Sequence, residues 1–243
     1  MINEFSRADL LLGKDAMQRI QKATVMVFGV GGVGSHCIEA LARCGVGKLV
    51  LIDNDTVSLT NINRQAVAFH STVGKYKTQV MKEMIKEICP KTKVVTYEMF
   101  VLPENIETLF EEKPDYIVDA IDTVTAKLAL VELAQRLEIP IISCMGTGNK
   151  LHAELFEISD LSKTSVCPLC KVMRKELKAR GIFHLKVLYS KEKPVDTSSR
   201  VTEENLGSRR SLPGSVSFVP PVAGLLIAGE VLREIGGVED GFI

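Results

Sequence analysis

The stretch "VMVFGVGGVGSHCIEALARCGVGKLVLIDND", from Val25 to Asp55, decides the fold. An apolar run leads into Gly29-Val30-Gly31-Gly32-Val33-Gly34, which matches G-x-G-x-x-G. Gly34–Arg43 then has helical patterning, and Lys48–Asp55 is a second apolar run that ends in acids. Glycines at these places let the backbone turn tightly and approach a phosphate, and the following helix offers its free N–H groups. Asp53 lies 19 residues beyond Gly34, where an acid at a strand end accepts ribose hydroxyls. The pattern is a nucleotide cradle, and alone it does not choose between NAD and ATP.

Outward from this unit, apolar runs alternate with helical patterns. "KYKTQVMKEMIKEI" has helical spacing with Val80, Met84 and Ile88 on one face, "TKVVTYEMF" reads as a strand, and "PENIETLFEE" as a short helix beginning at Pro103. "YIVDAID" is a strand, Val124–Leu137 a helix and "IPIISCMG" a strand. The alternation predicts an α/β fold with a doubly wound, Rossmann-like, mostly parallel sheet over residues 1–150. Residues 151–243 are expected to form a smaller C-terminal part of the same unit. It comprises a strand near "HAELFEIS", a helix over Leu169–Lys178, a polar loop over Pro194–Leu212 and a closing apolar helix near Pro221–Ile235.

Hydrophobic residues make up 46% of the 243 positions, enough for a full core and against global disorder. Lys+Arg and Asp+Glu both number 30, so whole-chain charge points to no partner. The first residues, "MINEFSRADLLLGKD", are charged throughout and lack the apolar centre of a signal peptide. The run "SFVPPVAGLLIAGEVLREI" carries two prolines and then charges, and reads as a buried helix with no membrane span. Six cysteines, mostly inside apolar elements, fit reduced thiols and a cytoplasmic location.

The residues behind the cradle favour ATP. Asp55, Asn61, Asn63, Arg64, Gln65 and Lys77 follow the ribose acid closely. A nicotinamide site has one pyrophosphate and little use for more cations, whereas a triphosphate needs fixed positive charge and a bidentate donor. Arg64 or Lys77 alone reads as a solvated surface cation; clustered after this loop, they suit the phosphates.

"GVGGVGS", "LIDNDTV", "TNINRQ" and "VGKYK" together resemble the adenylation domain of the ubiquitin-activating and sulfur-carrier-activating superfamily. The resemblance implies that Gly29, Gly31, Gly32 and Gly34 cradle the nucleotide and Asp53, beside Asp55, holds the ribose. It puts Asn61, Arg64, Gln65 and Lys77 around the phosphates and Mg2+ on Asp122 of "DAIDTV". Arg7 stands where the superfamily places an arginine supplied by the partner subunit, which implies a homodimer.

Sulfur-carrier enzymes of the superfamily carry two C-x-x-C pairs that bind zinc. This chain has one, Cys167-Pro-Leu-Cys170, with no cysteine after it; His152 and His184 lack motif spacing. Nor does any cysteine stand in the context of an acyl-accepting nucleophile. "FSRADLLLGKDAM", "ISDLSKTSVCPLCKVMRKELKARGI" and "GSVSFVPPVAGLLIAGEVL" instead resemble the tRNA threonylcarbamoyladenosine dehydratases. Cys167 departs from that group, which commonly has an acid before Pro-Leu. The chemistry implied is ATP-dependent activation of the threonylcarbamoyl carboxylate, followed by ring closure through its own ureido nitrogen.

Charge agrees with an RNA partner. Lys163–Arg210 holds 12 Lys/Arg against 5 Asp/Glu, a local +7 in a neutral chain. Lys171, Arg174, Lys175 and Lys178 share one helical face and are the tRNA-binding candidates. The alternatives are an adenylyltransferase for a ubiquitin-like sulfur carrier, which would add sulfur-transfer partner proteins, and an NAD-binding or redox-sensing module using Cys167 and Cys170. Nothing points to DNA.

Overall fold

The computed structural model describes residues 2–200 and 213–238. Its strands are β1 Thr24–Phe28, β2 Lys48–Ile52, β3 Lys93–Tyr97, β4 Tyr116–Asp119, β5 Ile141–Cys144, β6 Phe156–Asp160 and β7 Lys186–Ser190. Its helices are α1 Ser6–Leu12, α2 Lys14–Lys22, α3 Gly34–Arg43, α4 Lys77–Ile88, α5 Val124–Arg136, α6 Pro168–Ala179 and α7 Val219–Gly236. The strands make one sheet in the order β3-β2-β1-β4-β5-β7-β6. All neighbours are parallel except β6, which runs antiparallel to β7.

The apolar runs become strands because helices cover both faces. Val25 and Val27 of β1 pack into one core with residues of α3, α4 and α7. Met26 and Phe28, pointing the other way, pack with α5. A third cluster joins α5 to α6 and β7. The strand order reverses direction between β1 and β4, so their carboxyl ends open the crevice in which such sheets bind ligands.

Three features differ from the sequence expectation. Pro103–Glu112 makes no α-helix; a 3-10 turn at Ile106–Leu109 takes its place and buries Ile106 and Leu109. The segments Ser6–Leu12 and Lys14–Lys22 form two further helices. Lys186–Ser190 is a strand inserted between β5 and β6, with Val187, Leu188, Tyr189 and Ser190 buried. Its apolar centre is too short, between charged flanks, to show a period.

The closing helix α7 lies across α3. Ala223, Gly224, Ile227, Ala228 and Val231 are buried along one stripe. Gly224 sets the approach: a Cβ there would lie 2.3 Å from the Val33 carbonyl oxygen and 2.9 Å from the Cys37 nitrogen. At Gly229 of the same helix the nearest obstacle to a Cβ is the Arg233 guanidinium, 3.4 Å away. Gly224→Ala should therefore cost about 1–3 kcal/mol through overpacking, while Gly229→Ala should leave stability unchanged or raise it by about 0.5–1 kcal/mol. Urea titration of both variants checks this; equal midpoints would mean the helices do not meet tightly at Gly224.

Candidate active site

The glycine loop leaves β1 and enters α3 at the reversal point. Gly29 adopts φ +92, and a Cβ there would sit 2.6 Å from the Ala120 carbonyl oxygen. A Cβ on Gly34 would lie 1.8 Å from the Gly29 carbonyl oxygen. These two glycines let the turn close on itself and on the end of β4. Gly31 is different: a Cβ there meets only the Gln65 Nε2, at 4.0 Å. The loop's open side faces that amide.

Gln65 is 8% exposed, and its Oε1 has no hydrogen-bond partner among the described residues. A buried amide oxygen without a partner costs about 1–3 kcal/mol. The donor end meanwhile points toward Gly31. A ligand with both donors and acceptors, as a nucleotide has, satisfies such a group. The Cγ and Cδ of Arg64 lie 3.4 Å from where a Gly32 Cβ would be, so its stem rests on the loop. The guanidinium donates to the Thr60 carbonyl at 3.0 Å and to Asn63 Oδ1 at 2.9 Å.

Two side chains the sequence reading passed over hold this segment. Ser35 Oγ accepts the Ala66 N–H at 3.0 Å, and His36 Nε2 meets the Arg64 carbonyl oxygen at 3.1 Å. Polar residues in a first helical turn read as solvated, and nothing in the sequence signals that they face a neighbouring segment. Asn61 uses its Oδ1 to accept the Ser58 N–H at 3.1 Å, capping its own turn.

Asp53 ends β2 beside the loop. Its carboxylate accepts the Val30 N–H at 2.6 Å and the Asp55 N–H at 2.8 Å. Burial pushes its carboxyl above the usual aspartate range, against the opposing pull of Lys77 and the two N–H donors. Lys77 opens α4 with a side chain only 6% exposed, and its Nζ meets Asp55 Oδ2 at 2.6 Å. The structure thus brings Gly29, Gly31, Gly32, Gly34, Asp53, Asp55, Arg64, Gln65 and Lys77 to one rim.

Asp122 lies just past β4 and is exposed; Thr123 Oγ1 contacts it at 3.4 Å. Beneath it lies a buried network the sequence did not reveal. Lys127 Nζ donates to Asp119 Oδ2 at 3.0 Å, Ser143 Oγ at 3.2 Å and the Cys144 carbonyl at 2.8 Å. Ser143 Oγ also donates to Asp119, and Asp119 Oδ1 accepts the Ile121 N–H at 3.2 Å. The network pins the loop that carries Asp122.

Arg7 stands apart. It is exposed on α1, and the neighbouring Phe5 ring packs where a Gly45 Cβ would be, beyond the C-terminal end of α3. The ten residues of α3 separate that point from the glycine loop by about 15 Å. On α6, Lys171, Lys175 and Lys178 are exposed. Arg174 is half-buried, its guanidinium donating to the Leu161 carbonyl at 3.1 Å and the Thr164 carbonyl at 2.9 Å. Arg180 pairs with Glu132 and Glu176, Lys186 with Glu230 and Glu234, and Lys191 with Glu157. Arg209 and Arg210 lie outside the described residues. Cys167 and Cys170 are buried at the start of α6, and no group of three or more His, Cys, Asp or Glu stands in metal-binding array among the described residues.

A glycine loop at the reversal point of a parallel sheet, an acid closing the next strand and an unsatisfied amide facing the loop define a nucleotide-binding α/β protein. The sequence model of the ThiF family matches residues 5–242, and the chain belongs to that family. A tRNA threonylcarbamoyladenosine dehydratase of Bacillus subtilis (strain 168) is 40% identical over 97% of this chain and 95% of that protein. The protein of the same name from Escherichia coli (strain K12) is 40% identical over 70% of this chain and 63% of its own length. The crystal structure of the E. coli tRNA N6-threonylcarbamoyladenosine dehydratase in complex with ATP matches with a TM-score of 0.87 at 31% identity, covering 96% of this chain and 94% of that one.

Two outcomes follow for the apo protein. Lys127→Met leaves Asp119 buried without its cation and should cost about 3–5 kcal/mol in urea unfolding; the charge-free pair Lys127→Met with Asp119→Leu should recover much of it. A small loss in the single variant would mean the network is wetter than it stands here. For Asp53 the folded carboxyl titrates above its unfolded value. Its contribution to stability is therefore present at low pH and lost as pH rises through the folded value. Unfolding free energies of the parent and Asp53→Asn, compared from about pH 4 upward, should diverge in that direction, the parent losing ground. The opposite slope would mean Asp53 is stabilised as the carboxylate.

Proposed function

We propose that this chain is an ATP-dependent dehydratase that acts on threonylcarbamoyladenosine in tRNA. The observation that carries the substrate is likeness along nearly the whole chain to proteins of that name. The observation that supports ATP in particular is the open side of Gly31, rimmed by Gln65, Arg64, Lys77 and Asp53. Residues 1–150 supply this rim, and we take residues 151–243 as part of the same unit.

ATP, when bound, makes the substrate's carboxylate oxygen a good leaving group. The chain's residues do the rest by position and charge. Gly29, Gly31, Gly32 and Gly34 let the phosphates approach the N-terminus of α3. Asp53, with Asp55 beside it, is assigned to the ribose. Arg64, Asn61, Gln65 and Lys77 are assigned to the phosphates, where fixed cations stabilise charge that develops in the transition state. Lys77 has to exchange its Asp55 partner for phosphate oxygens, and Asp55 is 58% exposed, free to turn to water. Asp122 is assigned to Mg2+, which would neutralise phosphate charge. Arg7, far from its own loop, suits the loop of a second copy; this is the basis for a homodimer. The ureido nitrogen of the substrate closes the ring, so no protein thiol is needed, and intramolecular attack gains from high effective molarity.

For tRNA the exposed row is Lys171, Lys175 and Lys178, with Arg200; Arg174 is committed to Leu161 and Thr164. Among the described residues no helix is long and apolar enough to cross a membrane, and we take the site of action to be the cytoplasm.

Arg64→Ala and Lys77→Ala should each fold yet lose ATP turnover by about 2–4 kcal/mol of transition-state stabilisation. Turnover with tRNA bearing threonylcarbamoyladenosine should exceed turnover without it. Replacing Lys171, Lys175 and Lys178 by Glu should remove that stimulation, spare nucleotide binding and flatten the dependence of tRNA affinity on salt. A parent enzyme that ignores this tRNA and instead adenylates the C-terminus of a ubiquitin-like carrier would replace the dehydratase reading by the sulfur-carrier one.

A further inference from the structure

Asn149 is not one of the residues assigned to the nucleotide, yet it joins three chain segments at the crevice. It lies in the loop that leaves the carboxyl end of β5, a strand parallel to β4, and so on the same edge of the sheet as the glycine loop. Its backbone adopts φ 57, a left-handed conformation that asparagine reaches more readily than most side chains. Its N–H donates to the Gly214 carbonyl at 2.8 Å, and its carbonyl accepts the Val195 N–H at 2.8 Å. The side chain completes the joint, with Oδ1 accepting the Gly214 N–H at 2.6 Å. One residue thus holds both polar groups of the Gly214 backbone. The chains also close up beside it: a Cβ on Gly148 would lie 2.8 Å from the Pro213 Cβ.

One residue past Gly214 the chain meets the phosphate rim. Asn63 Nδ2 donates to the Ser215 carbonyl at 3.0 Å, and Asn63 Oδ1 accepts from Arg64 Nη1 at 2.9 Å. The two bonds fix which way the Asn63 amide faces. A carbonyl oxygen calls for the NH2 end and a guanidinium for the oxygen, so turning the amide over loses both. Asn63 is exposed, and an exposed hydrogen bond competes with water. Such a bond holds a direction only when its far partner is itself held. Ser215 is held, because Asn149 clasps the residue before it. The His36 bond steadies the Arg64 backbone; Asn63 acts at the other end, on the guanidinium.

We propose that Asn149 is a positioning residue for Arg64, acting through Gly214, Ser215 and the Asn63 amide to aim the guanidinium at the nucleotide phosphates. The proposal rests on the assignment of Arg64 to those phosphates. A fixed cation stabilises developing charge without having to reorganise, and a misplacement of about 1 Å at a reacting centre can cost up to about a hundredfold in rate. With the clasp open, Ser215 gains freedom, the Asn63 amide can turn, and Arg64 Nη1 keeps the Thr60 carbonyl but loses the second of its two acceptors. The lesion falls on alignment more than on the number of groups that touch ATP.

Two substitutions open the clasp by different routes. Asn149→Gly suits φ 57 without strain and removes only the acceptor for the Gly214 N–H. Gly148→Ala drives a Cβ against Pro213. Each should fold, and with tRNA bearing threonylcarbamoyladenosine each should lose about tenfold in kcat, while KM for ATP moves by less than about threefold, as for an interaction made in the transition state. Asn149→Asp keeps the acceptor and tolerates the left-handed backbone, and should stay within about threefold of the parent. On an Arg64→Ala background Asn149→Gly should add nothing, since the group it aims is gone. Nucleotide-free protein gives a reading apart from turnover. Rotation about the Arg64 Cζ–Nη bonds, followed by NMR of arginine-labelled protein and identified by the signal missing from Arg64→Ala, should be slow in the parent and faster in Asn149→Gly.

The outcomes separate the two claims. If Arg64→Ala loses turnover while Asn149→Gly and Gly148→Ala keep the parent's, the positioning role falls and the phosphate assignment stands. If Arg64→Ala itself turns over ATP as the parent does, both fall. A loss from Asn149→Gly that adds in full on the Arg64→Ala background overturns the proposal, because Asn149 then acts on something other than Arg64. So does an Asn149→Asp variant as impaired as Asn149→Gly, or an Arg64 rotation rate that the clasp variants leave unchanged. Should Asn149→Gly fail to fold by circular dichroism, Gly148→Ala takes its place in the cycle and in the NMR measurement.

Discussion

The constraint on which the structure rests is the closeness of the first turn. The Gly29 carbonyl oxygen lies where a side chain on Gly34 would begin, and the Ala120 carbonyl oxygen lies where one on Gly29 would. Three backbone segments, the end of β1, the start of α3 and the end of β4, therefore meet with no side chain between them. That contact fixes the height of α3 on the sheet and leaves its first N–H groups facing the crevice. It also sets where Asp53 must end, since its carboxylate holds the Val30 N–H of the same turn.

The second half of the chain completes this arrangement. Gly224 lets α7 approach the start of α3 at backbone distance, and Pro220 would stand 3.0 Å from a Cβ on Gly32. The closing helix thus buttresses the glycine loop directly. β7 inserts beside β5 and carries β6 with it, so residues 156–190 extend the sheet. The polar devices at the crevice are divided by burial. Asp119 and Lys127, fully buried, satisfy each other and hold backbone in place. Asp55 and Asp122 are exposed, where a cation or ligand can reach them.

The basic region shows why counting charge overstates a surface. Of the cations between Lys163 and Arg200, Arg180, Lys186 and Lys191 are paired with carboxylates, and Arg174 caps the Leu161–Lys163 turn. Lys171, Lys175 and Lys178 keep the regular exposed spacing, because the opposite stripe of α6, Cys170, Met173 and Leu177, is the one drawn into the core.

The sequence by itself determined the sheet from β1 to β5, its helices and the positions of the glycine loop, Asp53, Arg64, Gln65 and Lys77 along the chain. Local rules suffice there: strands covered on both faces are continuous apolar runs, helices repeat at 3.6 residues, and a phosphate turn needs glycine at fixed offsets. Only the tertiary structure decided that β7 forms, because a strand of five residues exists by pairing with β5 and β6 and has too few turns of pattern to announce itself. It alone also decided that Ser35 and His36 grip the Arg64 segment and that Lys127 meets Asp119. Each is a contact between residues distant along the chain or facing away from their own element's pattern. A polar residue's partner is fixed by which surfaces the packed helices bring together, and no local periodicity carries that information.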